Sequence, residues 1–162
     1  MKIIHLIIAG TLFFSSIFSQ ENKDDWPNLN RYKSDNKRVK KIKNNSPRVV
    51  FIGNSITEGW DWHYPQFFKS NKNYINRGIS GQTTPQMLVR FRQDVIDLDP
   101  DIVVILAGIN DIAENTGPST VKSITDNIKS MSELALSNDI KVILSSILPA
   151  SDFQWRPEIL PP

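Results

Sequence analysis

Apolar residues fall along this chain in two alternating rhythms, and both begin in earnest only after Arg48. Arg48-Val49-Val50-Phe51-Ile52 is a short apolar, β-branched run ending in Gly53, a form that predicts a buried strand. Tyr74-Ile75-Asn76-Arg77 before Gly78, Ile102 to Ala107 before Gly108, and Ile140 to Leu148 before Pro149 repeat it. Between these runs the spacing changes to threes and fours. Leu88, Phe91, Val95 and Leu98 give one apolar face that runs to Asp99-Pro100. Thr84 is placed to cap that helix, with Pro85 at its first position, where a missing N–H costs nothing. After Gly117-Pro118 the residues Val121, Ile124, Ile128, Met131 and Ala135 form a second stripe. Strands alternating with amphipathic helices imply crossover connections. They predict an α/β domain of three layers, α/β/α, around a flavodoxin-like parallel sheet.

The N-terminal part follows a different pattern. Lys2 is followed by a mostly apolar stretch from Ile3 to Phe18, then by small Ser19 and polar Gln20-Glu21-Asn22. That order predicts a signal peptide over residues 1–19, cleaved after Ser19, with export to the periplasm or the exterior and no stable membrane insertion afterwards. Residues 20–47 are polar. Between Arg31 and Lys43 they carry seven basic residues against one acid, Asp35. This reads as a solvated basic leader with a short helix packing Trp26, Leu29 and Tyr32 against a domain of residues 48–162. No glycine or aromatic interleaving marks the leader as a single-strand binder, and a net charge of +2 is too small to argue for nucleic acid.

Composition narrows the chemistry. Hydrophobic residues at 40% and charged residues at 22% suit a globular protein. The absence of cysteine excludes a disulfide framework, a thiolate metal site and a cysteine nucleophile. No cofactor or metal motif occurs. There are two histidines, His5 in the export segment and His63.

In open parallel sheets ligands bind beyond the carboxyl ends of the strands. Small and polar residues stand at three such ends here: Gly53-Asn54-Ser55, Ser80-Gly81-Gln82-Thr83 and Gly108-Ile109-Asn110-Asp111. Taken singly, each fits a helix cap or a turn. Together they point serine, glycine and asparagine at one rim.

Phe51-Ile52-Gly53-Asn54-Ser55-Ile56-Thr57-Glu58-Gly59, Asn76-Arg77-Gly78-Ile79-Ser80-Gly81-Gln82-Thr83 and Gly108-Ile109-Asn110-Asp111 resemble, in order and separation, the first three blocks of the SGNH (GDSL-type) hydrolases. The resemblance covers roughly residues 48–150 and implies a metal-free serine ester hydrolase. It makes Ser55 the nucleophile, and Gly81 and Asn110 the oxyanion-hole donors. The chemistry suits them: a serine hydroxyl attacks an ester carbonyl, and fixed N–H donors hold the oxyanion that forms. Where the family has Gly-Asp-Ser, this chain has Asn54, which keeps the hydrogen-bonding shape and loses the charge. Implied substrates are small acyl esters, among them acylated carbohydrate, with lysophospholipid as another. Trp60, Trp62 and Tyr64 are candidates for a sugar platform or an acyl pocket, or for core.

The family's Asp-x-x-His block has no match before Pro162. The catalytic histidine and aspartate are expected to be missing from this chain, together with the last strand and final helix. His63, eight residues beyond Ser55, is a poor substitute base. The competing expectation is a domain that binds an acyl or carbohydrate group without turning it over.

Overall fold

The computed structural model describes residues 25–42 and 46–159. The expected signal peptide lies outside the described residues. Four strands form one sheet: β1 (Val49–Gly53), β2 (Tyr74–Gly78), β3 (Ile102–Leu106) and β4 (Lys141–Leu144). Their order is β2-β1-β3-β4, every pair is parallel, and the expected α/β architecture holds. The helices are α1 (Lys33–Val39), α2 (Ser55–His63), α3 (Pro65–Ser70), α4 (Thr84–Asp94), α5 (Ile109–Ile112) and α6 (Val121–Leu136).

Side chains alternate across the sheet, so each strand feeds two cores. Val50, Ile52, Ile75, Val103 and Ile105 point to one face, where Met87 and Phe91 of α4, Met131 and Ala135 of α6, and Val39 of α1 close over them. Phe51 points the other way, into an aromatic cluster with Trp60, Phe67, Phe68 and Tyr74, in which Trp60 and Phe67 stack at 4.5 Å. Trp60 is therefore core. On that second face α2 and α3 cover only the β2–β1 half, and Ile143 of β4 is half exposed.

Four details differ from the sequence pattern. The cap of α4 is Thr83, one residue earlier than Thr84, and its N–H donates to the Gln86 side chain at 3.0 Å. The helix stops at Asp94 instead of running to Asp99; Ile96–Leu98 is a 3₁₀ turn, and Asp99 sits at φ 51. Pro100 disfavours right-handed helix at the residue before it, and aspartate tolerates the left-handed region. β4 ends at Leu144 instead of Leu148, because β3 supplies its last partner at Ile105; one more bond, Ser145 N–H to the Ile105 carbonyl, follows. Finally, the short helix expected in the leader is α1, but it begins at Lys33, after Trp26, Leu29 and Tyr32, and it is Asn36 and Val39 that it buries.

What fastens α1 and the strand ends is a polar network inside the apolar layer. Arg90 and Asp94 are fully buried and paired at 3.1 Å. Arg90 also donates to the Gln82 side chain at 2.6 Å and to the Gly53 carbonyl at 3.1 Å. Asn36 donates to Asp94 and accepts from Arg77, which pairs with Asp35. Burial presses the pKa of Arg90 and Arg77 down, and the neighbouring carboxylates oppose it. Removing one partner of such a pair strands the other charge in low dielectric, at a cost of about 3–5 kcal/mol. Arg90→Met is expected to lose stability of that order in thermal or denaturant unfolding. Arg90→Met with Asp94→Leu is expected to lose less than the sum of the single changes.

Candidate active site

β1 pairs in level register with both neighbours, Gly53 lying opposite Gly78 and opposite Leu106. The three loops therefore leave one rim side by side, from strands about 4.8 Å apart. β1 and β3 are adjacent although β2 intervenes in sequence, and the helices that follow them lie on opposite faces. Their ends thus flank the switch point where ligands enter such sheets.

Ser55 opens α2 and is exposed. Its hydroxyl has no hydrogen-bond partner among the described residues. Asn54 caps the helix: its Oδ1 accepts from the Ile56 N–H at 3.0 Å. Its Nδ2 is buried without a partner among the described residues.

Glu58, one turn into α2, fixes the second loop to the first. Its carboxylate accepts from the Ser80 N–H at 2.8 Å and from the Ser80 hydroxyl, and pairs with Arg31 at 2.7 Å. Burial pushes the Glu58 pKa up, but the Ser80 and Arg31 hydrogen bonds outweigh it and hold the group below its ordinary value. α2 lies so close to β2 that a Cβ on Gly78 would stand 2.1 Å from the Glu58 backbone nitrogen.

Gly81 is the third residue of a turn closed by Gln82 N–H to the Ile79 carbonyl, and its φ of +77 is the reason for glycine there. Its N–H makes no hydrogen bond among the described residues, while its carbonyl accepts from Asn115 at 3.1 Å. Asn110, on α5, is buried and donates through Nδ2 to the Gln82 carbonyl at 3.0 Å, leaving one N–H of that amide. Asp111 accepts from the Thr84 N–H and hydroxyl; burial raises its pKa, against those bonds. The structure thus brings Ser55, Gly81 and Asn110 to one rim.

His63 is not brought there. It ends the helix that Ser55 begins, eight residues away, which is about 12 Å along the axis. Trp62 and Tyr64 are exposed at that same far end. Among the described residues no group of three histidine, cysteine or acidic side chains is placed to hold a metal ion. The sequence pattern missed Glu58 and Arg90 as fixing groups, and no local signal marks them, because Ser80 and Arg31 for the first and Gln82 and Gly53 for the second lie on other segments of the chain.

The parallel sheet and the three aligned loops define a class, the α/β proteins in which ligands bind beyond the carboxyl ends of a flavodoxin-like sheet. The chain belongs to the GDSL-like lipase/acylhydrolase family, whose model matches residues 51–159. It is 57% identical to a structure from Bacteroides fragilis NCTC 9343, provisionally named an acylhydrolase, with a TM-score of 0.80 over 83% of this chain and 64% of that one. A GDSL-like lipase from Bacteroides thetaiotaomicron VPI-5482 gives 54% identity and a TM-score of 0.79 over 83% of this chain and 65% of that one. The uncharacterized lipoprotein YqeF of Bacillus subtilis (strain 168) is 31% identical over 117 residues, 62% of this chain and 48% of that protein. The chain therefore spans about half the length of that curated relative and under two thirds of the two structures.

The Glu58 carboxylate gives a pH signature. Its depressed pKa supplies stability that is present above its unfolded value of about 4.3 and lost as pH falls through the lower folded value. Glu58→Gln is expected to lower the melting temperature at neutral pH and to flatten the acid limb below about pH 4.3. Thermal unfolding across that range reads both effects.

Proposed function

We propose that this chain is an exported acylhydrolase of carboxylic esters that uses Ser55 as nucleophile. The observation that carries the reading is the level rim: an exposed, unpartnered hydroxyl at the start of α2 shares it with the unbonded N–H of Gly81 and the spare N–H of Asn110. Ser55 Oγ bonds to the ester carbonyl carbon, and the carbonyl oxygen takes the negative charge. Gly81 N–H, Asn110 Nδ2 and the Ser55 N–H at the helix start are the donors for that oxygen. Collapse of the intermediate breaks the bond to the alcohol, which leaves with a proton, and water then releases the acid. The serine proton needs an acceptor, and His63, at the far end of α2, is not placed to take it. Substrates are small acyl esters, including acylated carbohydrate. Export rests on the N-terminal pattern and on the likeness to a protein named a lipoprotein.

A second reading, binding of the acyl group without turnover, is favoured by the absence of an imidazole at the rim among the described residues. Kinetics on p-nitrophenyl acetate separate the two. The esterase reading expects continuous release that Ser55→Ala abolishes and that Asn110→Ala lowers by about 100- to 1000-fold in kcat. A single stoichiometric burst from Ser55 supports the second reading. Release unaffected by Ser55→Ala contradicts both.

A further inference from the structure

Beside Gly81 lies an open groove of about 730 Å³, walled on one side by residues that precede the family-matched segment and on another by residues that follow β4. Trp26 comes from the first and Trp155 from the second, and their side chains are left in water, with the residues 46% and 57% exposed. Both are nevertheless held. The Trp26 carbonyl accepts from the Gln86 side chain at 2.8 Å, and the adjoining Pro27 carbonyl accepts from the Gln82 side chain at 2.7 Å. The Trp155 indole N–H donates to Asn115 Oδ1 at 2.9 Å, and the Nδ2 of that same Asn115 donates to the Gly81 carbonyl. One short chain of hydrogen bonds therefore runs from an exposed aromatic platform to the glycine of the candidate oxyanion hole.

The charges in the groove are spent within the protein. The Asp25 carboxylate accepts from the N–H groups of Leu29 and Asn30 and from the Asn30 side chain. Arg156 donates to the Glu114 carbonyl and pairs with the carboxylates of Glu114 and Glu158. A phosphate headgroup would meet no free cation. What remains is neutral amide, the Asn28 side chain and the second N–H of Gln86 and of Asn115, beside two exposed tryptophans, and the volume falls within the range of small-ligand sites. Indole faces pack against apolar C–H surface, and amides exchange hydrogen bonds with hydroxyls. A pyranose ring presents both.

The geometry points to a saccharide-binding subsite between Trp26 and Trp155, which holds the sugar alcohol of an acylated glycan with its ester at Gly81. The placement of the ester rests on the acylhydrolase reading; the subsite itself does not.

Isothermal titration of the full chain with unesterified xylotetraose, cellotetraose and chitotetraose tests it without any turnover. At least one glycan is expected to bind saturably. Trp26→Ala and Trp155→Ala are each expected to weaken that binding by about tenfold, with Trp155→Phe between parent and alanine. Melting temperatures of the variants establish that they fold, and Trp62→Ala, at the far end of α2, is expected to bind as the parent does. Failure of all three glycans to bind, or parent-like binding by both alanine variants, overturns the subsite. Ester cleavage without glycan binding overturns the subsite alone; glycan binding without Ser55-dependent cleavage overturns the esterase reading alone.

Discussion

Everything at the rim hangs on one buried guanidinium. Arg90 is sealed from solvent on α4 and reaches the Gly53 carbonyl, the Gln82 side chain and Asp94. Gly53 immediately precedes the Ser55 loop, and its carbonyl also accepts from the Ile79 N–H of the neighbouring loop. Gln82 follows Gly81; its backbone carbonyl takes Asn110, and its side chain passes the connection on to Pro27. A planar, permanently charged fork with several donors suits this task, and a lysine ammonium would not span the same acceptors. The desolvation cost makes the Arg90–Asp94 pair a poor source of stability as a whole. Its value lies in arrangement: three loops from three strands are held to one geometry by groups that lie behind them.

From that anchor the chemistry of the rim follows by subtraction. Asp94 is neutralised by Arg90, Glu58 is spent on Ser80 and Arg31, and Asp111 is spent on Thr84. The groups left facing outward are neutral donors and a hydroxyl. On the proposed acylhydrolase reading, such a surface is suited to a developing oxyanion. The groove beyond Gly81 continues this theme with amides and indoles. Glycine at position 78 completes the arrangement, since only a missing side chain lets α2 approach β2 closely enough for Glu58 to meet Ser80.

Much of this was legible in the sequence, because strands and loop chemistry are local. Val49–Ile52 and Ile102–Leu106 announce buried strands through unbroken apolar runs, and Ser80-Gly81-Gln82-Thr83 reads as a turn, which the structure forms with Gly81 at φ +77. The less legible parts depend on partners far away in sequence. The leader helix is legible only as a short helix packing Trp26, Leu29 and Tyr32, since α1 itself buries just Asn36 and Val39 within a basic run. β4 reads four residues too long, because its end is set by where β3 stops. Arg90 and Asp94 stand four apart, a spacing that ordinarily marks a surface ion pair. Trp26 and Trp155 lie at opposite ends of the domain, and only the folded loops bring them to one groove.

The most direct test of the account is a crystal structure of the chain after reaction with a small alkyl fluorophosphonate. The account predicts phosphorus bonded to Ser55 Oγ, with the phosphoryl oxygen at about 2.7–3.1 Å from the Gly81 N–H nitrogen and from Asn110 Nδ2. An adduct on any other residue, or a phosphoryl oxygen turned away from both donors, would contradict it.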